Sequence, residues 1–217
     1  MRKSWIVSIV SGLLFVALIA LILVYDVAAI GPNGTEIGLS HVNQTVHEAI
    51  GSHMLWYDIT EVLGVVALLV AATFAGLGCY QFIRRKSLLK VDKKIYVLAG
   101  LYVVTMLLYV LFEMVVVNYR PVIMPGDELP EAAFPSSHTM LTCVIMGSAF
   151  PLIKEYVKNT KLKLILQILC VVILVSTVVG RLVSGVHWVT DIFGGVLISV
   201  TLLGIYESFI EPKTENQ

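Results

Sequence analysis

Six apolar runs, each long enough to cross a bilayer and joined by short polar loops, dictate what this chain can fold into. They lie at Trp5 to Tyr25, Leu55 to Phe82, Ile95 to Val117, Ser137 to Ile153, Leu162 to Gly180 and Trp188 to Ile210. About 20 apolar residues span the hydrocarbon core as a helix, which pairs every backbone N–H and C=O internally. The pattern predicts an all-α integral-membrane bundle of six transmembrane helices, forming one domain over residues 1–217. The first run follows Met1-Arg2-Lys3, which resembles the charged start of a secretory signal. It exceeds the roughly 7 to 15 residues of a signal core and reads as a retained anchor.

Composition excludes several function classes. Hydrophobic residues make up 58% of the chain and charged residues 14%, which leaves no surface for a large water-soluble enzyme. The net charge is zero, so no basic field calls for a nucleic-acid partner. Cys79, Cys143 and Cys170 sit inside apolar runs without C-x-x-C spacing and read as small buried hydrophobes.

The basic residues orient the bundle, because short cytoplasmic loops carry the excess of Lys and Arg. Arg2 and Lys3, then Arg84 to Lys94, then Lys154 to Lys163, then Lys213 place thirteen of the fifteen on one side. That side is expected to be cytoplasmic and to hold both termini. Arg120 and Arg181 remain, at the outer ends of the third and fifth runs.

The first outer loop, Asp26 to Ser52, has no Lys or Arg. After the Gly31-Pro32-Asn33-Gly34 turn, Ile37, Leu39, Val42, Val46 and Ile50 recur at near-helical spacing and predict a short amphipathic helix on the outer surface. His41, His47 and His53 on or beside it read as solvent-facing or rim residues. The acceptor patterns at Asn33 and Asn43 are too short to carry weight. The tail Glu207 to Gln217 reads as a solvated end.

Ionisable groups at membrane helix ends are costly unless they pair or act. On this topology Arg120, Ser136-Ser137-His138, Arg181 and His187 to Asp191 all gather at one face. Pro135 and two serines start a helix whose free N–H groups favour an anion, and two arginines suit phosphate oxygens. His187 and Asp191, four apart, share a helical face, so the carboxylate can fix the imidazole tautomer and leave its other nitrogen to attack. His138 beside them can protonate a leaving group.

Tyr119-Arg120-Pro121, Pro135-Ser136-Ser137-His138 and Arg181 through His187 to Asp191 resemble the three motifs of the type 2 phosphatidic acid phosphatases, relatives of the vanadium-dependent haloperoxidases. Those motifs read K-x-x-x-x-x-x-R-P, P-S-G-H and S-R-x-x-x-x-x-H-x-x-x-D. Here Gly180 stands for the third motif's serine, Ser137 for the second motif's glycine and Glu113 for the first motif's lysine. The resemblance implies that Arg120, Arg181, Ser136 and Ser137 bind phosphate. His138 would be the acid, and His187, oriented by Asp191, would be transiently phosphorylated. A carboxylate at Glu113 would repel phosphate, so it is expected to brace Arg120 or Arg181 from about two turns below Arg120.

The expected function is a metal-independent phosphatase, without cofactor, acting on a membrane lipid phosphate or diphosphate. Undecaprenyl diphosphate and phospholipid phosphates are the candidate substrates, at the outer face of a bacterial cell membrane. A lipid phosphotransferase would use the same residues. A silent lipid-phosphate binder, a transporter lined by Asp58, Glu61 and Glu113, and a metal site of His138, His187 and Asp191 are the rivals. The sequence does not address oligomeric state.

Overall fold

The computed structural model describes residues 3–210; Arg2, Lys213 and the tail from 211 onward lie outside the described residues. Seven helices follow in order: α1 Lys3–Val24, α2 Ser40–Ile50, α3 Met54–Arg85, α4 Lys93–Met114, α5 Ser137–Tyr156, α6 Thr160–Val183 and α7 Val189–Ile210. No strand forms among the described residues; two isolated bridges, Ala28 with Ile37 and Tyr119 with Ala132, pin the loops.

Five helices, α1, α3, α4, α6 and α7, are long and apolar enough to cross a membrane. The sixth expected span, α5, does not qualify by composition. It carries Ser137, His138, Thr139, Thr142, Ser148, Lys154 and Glu155, and packs against α3, α4, α6 and α7. Protein neighbours bury Thr139, Thr142 and Ser148, so this helix needs no apolar outer surface. The peripheral helices do the opposite. Leu13, Val16, Leu69, Leu107 and Leu164 are each more than half exposed, an apolar belt that water would not tolerate. The chain is a multi-pass membrane protein.

Helix α1 runs antiparallel to α7. Trp5 meets Phe209 ring to ring at 6.3 Å, and Ser11 Oγ lies 2.9 Å from Thr201 Oγ1. The two ends of the described chain therefore share one end of the bundle. The starts of α3, α5 and α7 and the ends of α4 and α6 share the other, which collects the polar residues singled out in the sequence.

Three features differ from expectation. The third run was expected to continue to Val117, but α4 stops at Met114 and Val115 leaves the helix at ψ 89°. Three successive β-branched valines there carry little helix propensity. The amphipathic segment does form α2, but one face clamps the start of α7 and does not simply lie on the surface. Asn43 Oδ1 accepts from Thr190 N–H at 3.3 Å and Oγ1–H at 3.1 Å, while the His47 ring sits 5.3 Å from Trp188. Asn43 is wholly buried and unavailable as a glycosylation acceptor. His41 pairs with Asp26. Finally, Cys143 and Cys170 are buried as expected, whereas Cys79 faces outward from α3.

Candidate active site

The start of α5 is fixed from two directions. Ser136 caps the helix by accepting from Thr139 N–H at 3.5 Å, and its own N–H donates to the Asp191 carbonyl at 3.0 Å. Ser136 is therefore buried and engaged in holding α5 to α7. Ser137 instead lines the open cleft beside His138. Of the two serines read as phosphate ligands, only Ser137 faces the space where a ligand could enter.

Arg181 ends α6 with a side chain at 0% exposure, surrounded by partners from α3 and α5. Its Nη1 donates to Thr60 Oγ1 at 3.2 Å and Glu61 Oε1 at 3.1 Å, and its Nη2 lies 2.8 Å from His138 Nδ1. The guanidinium also stands 5.0 Å from the centre of the Tyr57 ring. Glu61 Oε1 lies 3.3 Å from His138 Nε2 as well. Sequence reasoning missed Tyr57 and Thr60, and it named Glu61 only as lining a rival transport path. Their signal was local: positions 57, 60, 61 and 64 share one face of a helix, and two of them are polar within an apolar run.

His187 follows Gly185, which turns the chain at φ +73°. The imidazole is 3% exposed, and neither ring nitrogen has a hydrogen bond of good geometry. Its Nδ1 stands 3.6 Å from Asp191 Oδ2, a contact longer than a hydrogen bond. Asp191 Oδ2 is held in place by Trp188 N–H at 2.8 Å. Burial, and then the charges of Arg181, Arg120 and His138, push the His187 pKa well below its ordinary value, so the ring is neutral. A neutral imidazole with a free nitrogen is the form that can attack phosphorus.

Arg120 reaches the same region from the loop after α4. Its Nη2 pairs with Glu131 Oε2 at 3.0 Å, and its backbone N–H donates to the Glu131 carbonyl at 3.0 Å. Trp188 Nε1–H donates to the Tyr119 carbonyl at 2.8 Å, tying this loop to the residue after His187. The Nε atoms of Arg120 and Arg181 are buried without a partner. Buried Nε donors without a partner on two arginines, in the same site as an imidazole with no well-aligned hydrogen bond, suit an anionic ligand.

A cleft of about 610 Å³ opens over His138, lined by Tyr57, Asp58, Glu61, Glu113, Arg120, Glu131 and Ser137 among others. A smaller recess beyond it, lined by Tyr109, Glu113, Phe134, Ser137 and Met140, leads to His187. Glu113 borders both cavities but pairs with neither arginine; Arg120 and Arg181 take Glu131 and Glu61 instead. The bracing expected of Glu113 is thus corrected. Because α4 ends at Met114, Glu113 lies in the final helical turn and is exposed at the cleft. Arg120 lies beyond the helix, so the two do not share a helical face.

No group of three His, Cys, Asp or Glu residues among the described residues is placed to hold a metal ion. Residues 64–214 match the PAP2 superfamily. The chain belongs to the PAP2 superfamily. It is 33% identical over 93 residues to phosphatidylglycerophosphatase B of Bacillus subtilis (strain 168), a match covering 42% of this chain and 46% of that protein. The chain thus aligns with about half the length of that curated relative. The fold is similar to the crystal structure of a transmembrane PAP2-type phosphatidylglycerolphosphate phosphatase from Bacillus subtilis. That match has a TM-score of 0.66 and 20% identity, and covers 97% of this chain and 98% of the other. Against the PAP2 motif, Gly180 is explained by packing: a Cβ there would lie 2.6 Å from Thr60 Cγ2 and 3.0 Å from Trp56 Cε3. Side chains of α3 occupy the space that the family's serine would need.

Proposed function

We propose that this chain is a membrane phosphatase that removes phosphate from a lipid phosphate or diphosphate through a phosphohistidine on His187. The observation that carries the reading is the pair of unpaired buried donors, the Nε atoms of Arg120 and Arg181, in the same site as the buried His187 ring, whose nitrogens make no well-aligned hydrogen bond. In this mechanism Arg120, Arg181 and Ser137 take the phosphate oxygens. His187 Nε2 attacks phosphorus, and Asp191 accepts from Nδ1–H as the imidazole gains charge. His138 gives a proton to the leaving oxygen, then removes one from the water that hydrolyses the phosphohistidine. Two arginines supply the positive charge that a metal would otherwise provide, so activity should survive chelation.

The name of the curated relative makes phosphatidylglycerol phosphate the first substrate to test, with undecaprenyl diphosphate second. Lysines and arginines at the opposite end of the bundle support an outward-facing cleft by the positive-inside rule, and the reading takes α5 as a sixth, protein-wrapped span. Transfer to a lipid acceptor instead of water would use the same groups. Rapid quench with a radiolabelled lipid phosphate is the deciding experiment. Acid-labile, base-stable label should appear on the protein and vanish in His187→Ala. Full turnover by that variant would remove His187 as the nucleophile.

A further inference from the structure

Glu61 belongs to none of the three motifs, yet one of its oxygens touches two site residues. Oε1 stands 3.1 Å from Arg181 Nη1 and 3.3 Å from His138 Nε2. Arginine has only N–H donors, so the 2.8 Å contact from Arg181 Nη2 makes His138 Nδ1 an acceptor. The neutral ring then carries its proton on Nε2, the nitrogen 3.3 Å from Glu61 Oε1. Helix α3 is shaped to receive this ring. Three residues beyond Glu61, on the same face, lies Gly64, where a Cβ would stand 3.0 Å from His138 Cδ2. The Glu61 side chain is 41% exposed in the cleft, so it is reachable by substrate, whereas Arg181 is fully buried.

This arrangement is complete but cannot yet perform acid catalysis. While Arg181 donates to Nδ1, that nitrogen cannot hold a proton, and a neutral imidazole is a poor acid. An arriving phosphate offers oxygens that compete for the same guanidinium hydrogens. Once Nη2 turns to phosphate, Nδ1 is released towards the ligand.

We propose that Glu61 is the positioning residue for His138: it holds Nε2–H, so that Nδ1 takes up the proton of the bound monoanionic phosphate ester when the phosphate oxygens draw Arg181 away, and then delivers that proton to the leaving oxygen. The inference rests on the phosphatase reading above. In the first half-reaction the N–P bond to His187 forms as the P–O bond breaks, and the leaving oxygen takes the Nδ1 proton. His138 returns to neutral with its remaining proton still on Nε2 against Glu61. In the second half, Nδ1 takes a proton from the attacking water, whose oxygen bonds phosphorus. The N–P electron pair returns to His187, and the Nδ1 proton leaves with the phosphate product, so that Arg181 donates to Nδ1 again. Glu61 plays for His138 the part that Asp191 plays for His187, by a carboxylate fixing tautomer and stabilising imidazolium.

The test compares two substrates with one lipid tail: an alkyl phosphate, whose leaving oxygen needs a proton, and a 4-nitrophenyl phosphate, whose leaving group does not. In Glu61→Gln, kcat for the alkyl substrate should fall about 100-fold, the scale of general acid catalysis. KM should stay within about twofold, the aryl substrate should keep most of its kcat, and the aryl-driven burst of phosphohistidine should persist. Glu61→Asp should recover part of the alkyl rate. Equal losses on both substrates would make Glu61 a mere support for Arg181 and overturn the proposal, and so would an unchanged alkyl rate. Absence of any phosphohistidine in the unmodified protein is a separate result: it removes the phosphatase mechanism and this inference with it.

Discussion

Glu131 holds Arg120 twice, once by the ion pair from Nη2 to Oε2 at 3.0 Å and once through the backbone, Arg120 N–H to the Glu131 carbonyl at 3.0 Å. The backbone bond fixes the loop and the ion pair aims the guanidinium. The Glu131 side chain is 49% exposed, so the pair is solvent-screened and contributes about 0.5–1 kcal/mol. Glu131→Gln keeps the backbone bond. It should raise KM for a lipid phosphate roughly two- to fivefold, the equivalent of that energy, with kcat nearly unchanged. Arg120→Ala removes a proposed ligand of the transferring phosphate and should cost about 100-fold or more in kcat/KM. Steady-state kinetics in one detergent system checks both.

The two braces also show where the sequence was legible. His187 and Asp191 could be paired from spacing alone, because one helical turn fixes which residues are neighbours. The gathering of four helix ends followed from alternating spans. Arg120 with Glu131 and Arg181 with Glu61 join different segments, and nothing in a linear spacing encodes such contacts. Glu113 was selected as brace on the premise that its helix continued past it. The helix ends one residue later, and the premise fails with it. Glu61 was visible as an acid within an apolar run, but its meaning depended on α3 lying against α5 and α6.

Gly180 and Thr60 should behave as a coupled pair. Gly180→Ser restores the family residue but places its Cβ in the space of Thr60 Cγ2, and overpacking of this kind costs about 1–3 kcal/mol. It should also pull Thr60 Oγ1 from Arg181 and lower activity. Thr60→Ser removes the obstructing methyl while keeping the hydroxyl. The double variant should therefore be more stable in a detergent melt than Gly180→Ser alone, although the Trp56 contact remains. Strict additivity of the two single changes would show that the sites are not coupled.

His187 gives a stability signature. Its folded pKa lies well below the ordinary 6.5, first because of burial. Below pH 6.5 the unfolded chain binds a proton that the folded chain refuses, so stability should fall as pH decreases from there and level off above it. His47 is also lowered by burial and acts in the same direction. Melting midpoints measured from pH 7.5 to 5 (roughly the span of histidine titration) should decline less in His187→Asn than in the unmodified protein. The two variants His187→Asn and His47→Asn together should flatten the curve further. Identical slopes in all proteins would place the acid sensitivity elsewhere.

Orientation can be decided with two cysteines at opposite ends of the bundle. Glu36 is exposed in the loop before α2, on the end that carries the cleft. Leu89 is 95% exposed in the basic turn between α3 and α4, at the opposite end. Cys79 is exposed and must first be replaced by serine, whereas Cys143 and Cys170 are buried. A membrane-impermeant maleimide should label Glu36→Cys in intact cells, and Leu89→Cys only after the membrane is opened. Membrane charge rules predict this sense, since Arg84, Arg85, Lys86, Lys90, Lys93 and Lys94 cluster around Leu89 and none lies near Glu36. The reverse pattern would turn the cleft inward and make lipids of the cytoplasmic leaflet its substrates. Labelling of both positions in intact cells would contradict the alternation of spans from which the shared face of Arg120, His138, Arg181 and His187 was first inferred.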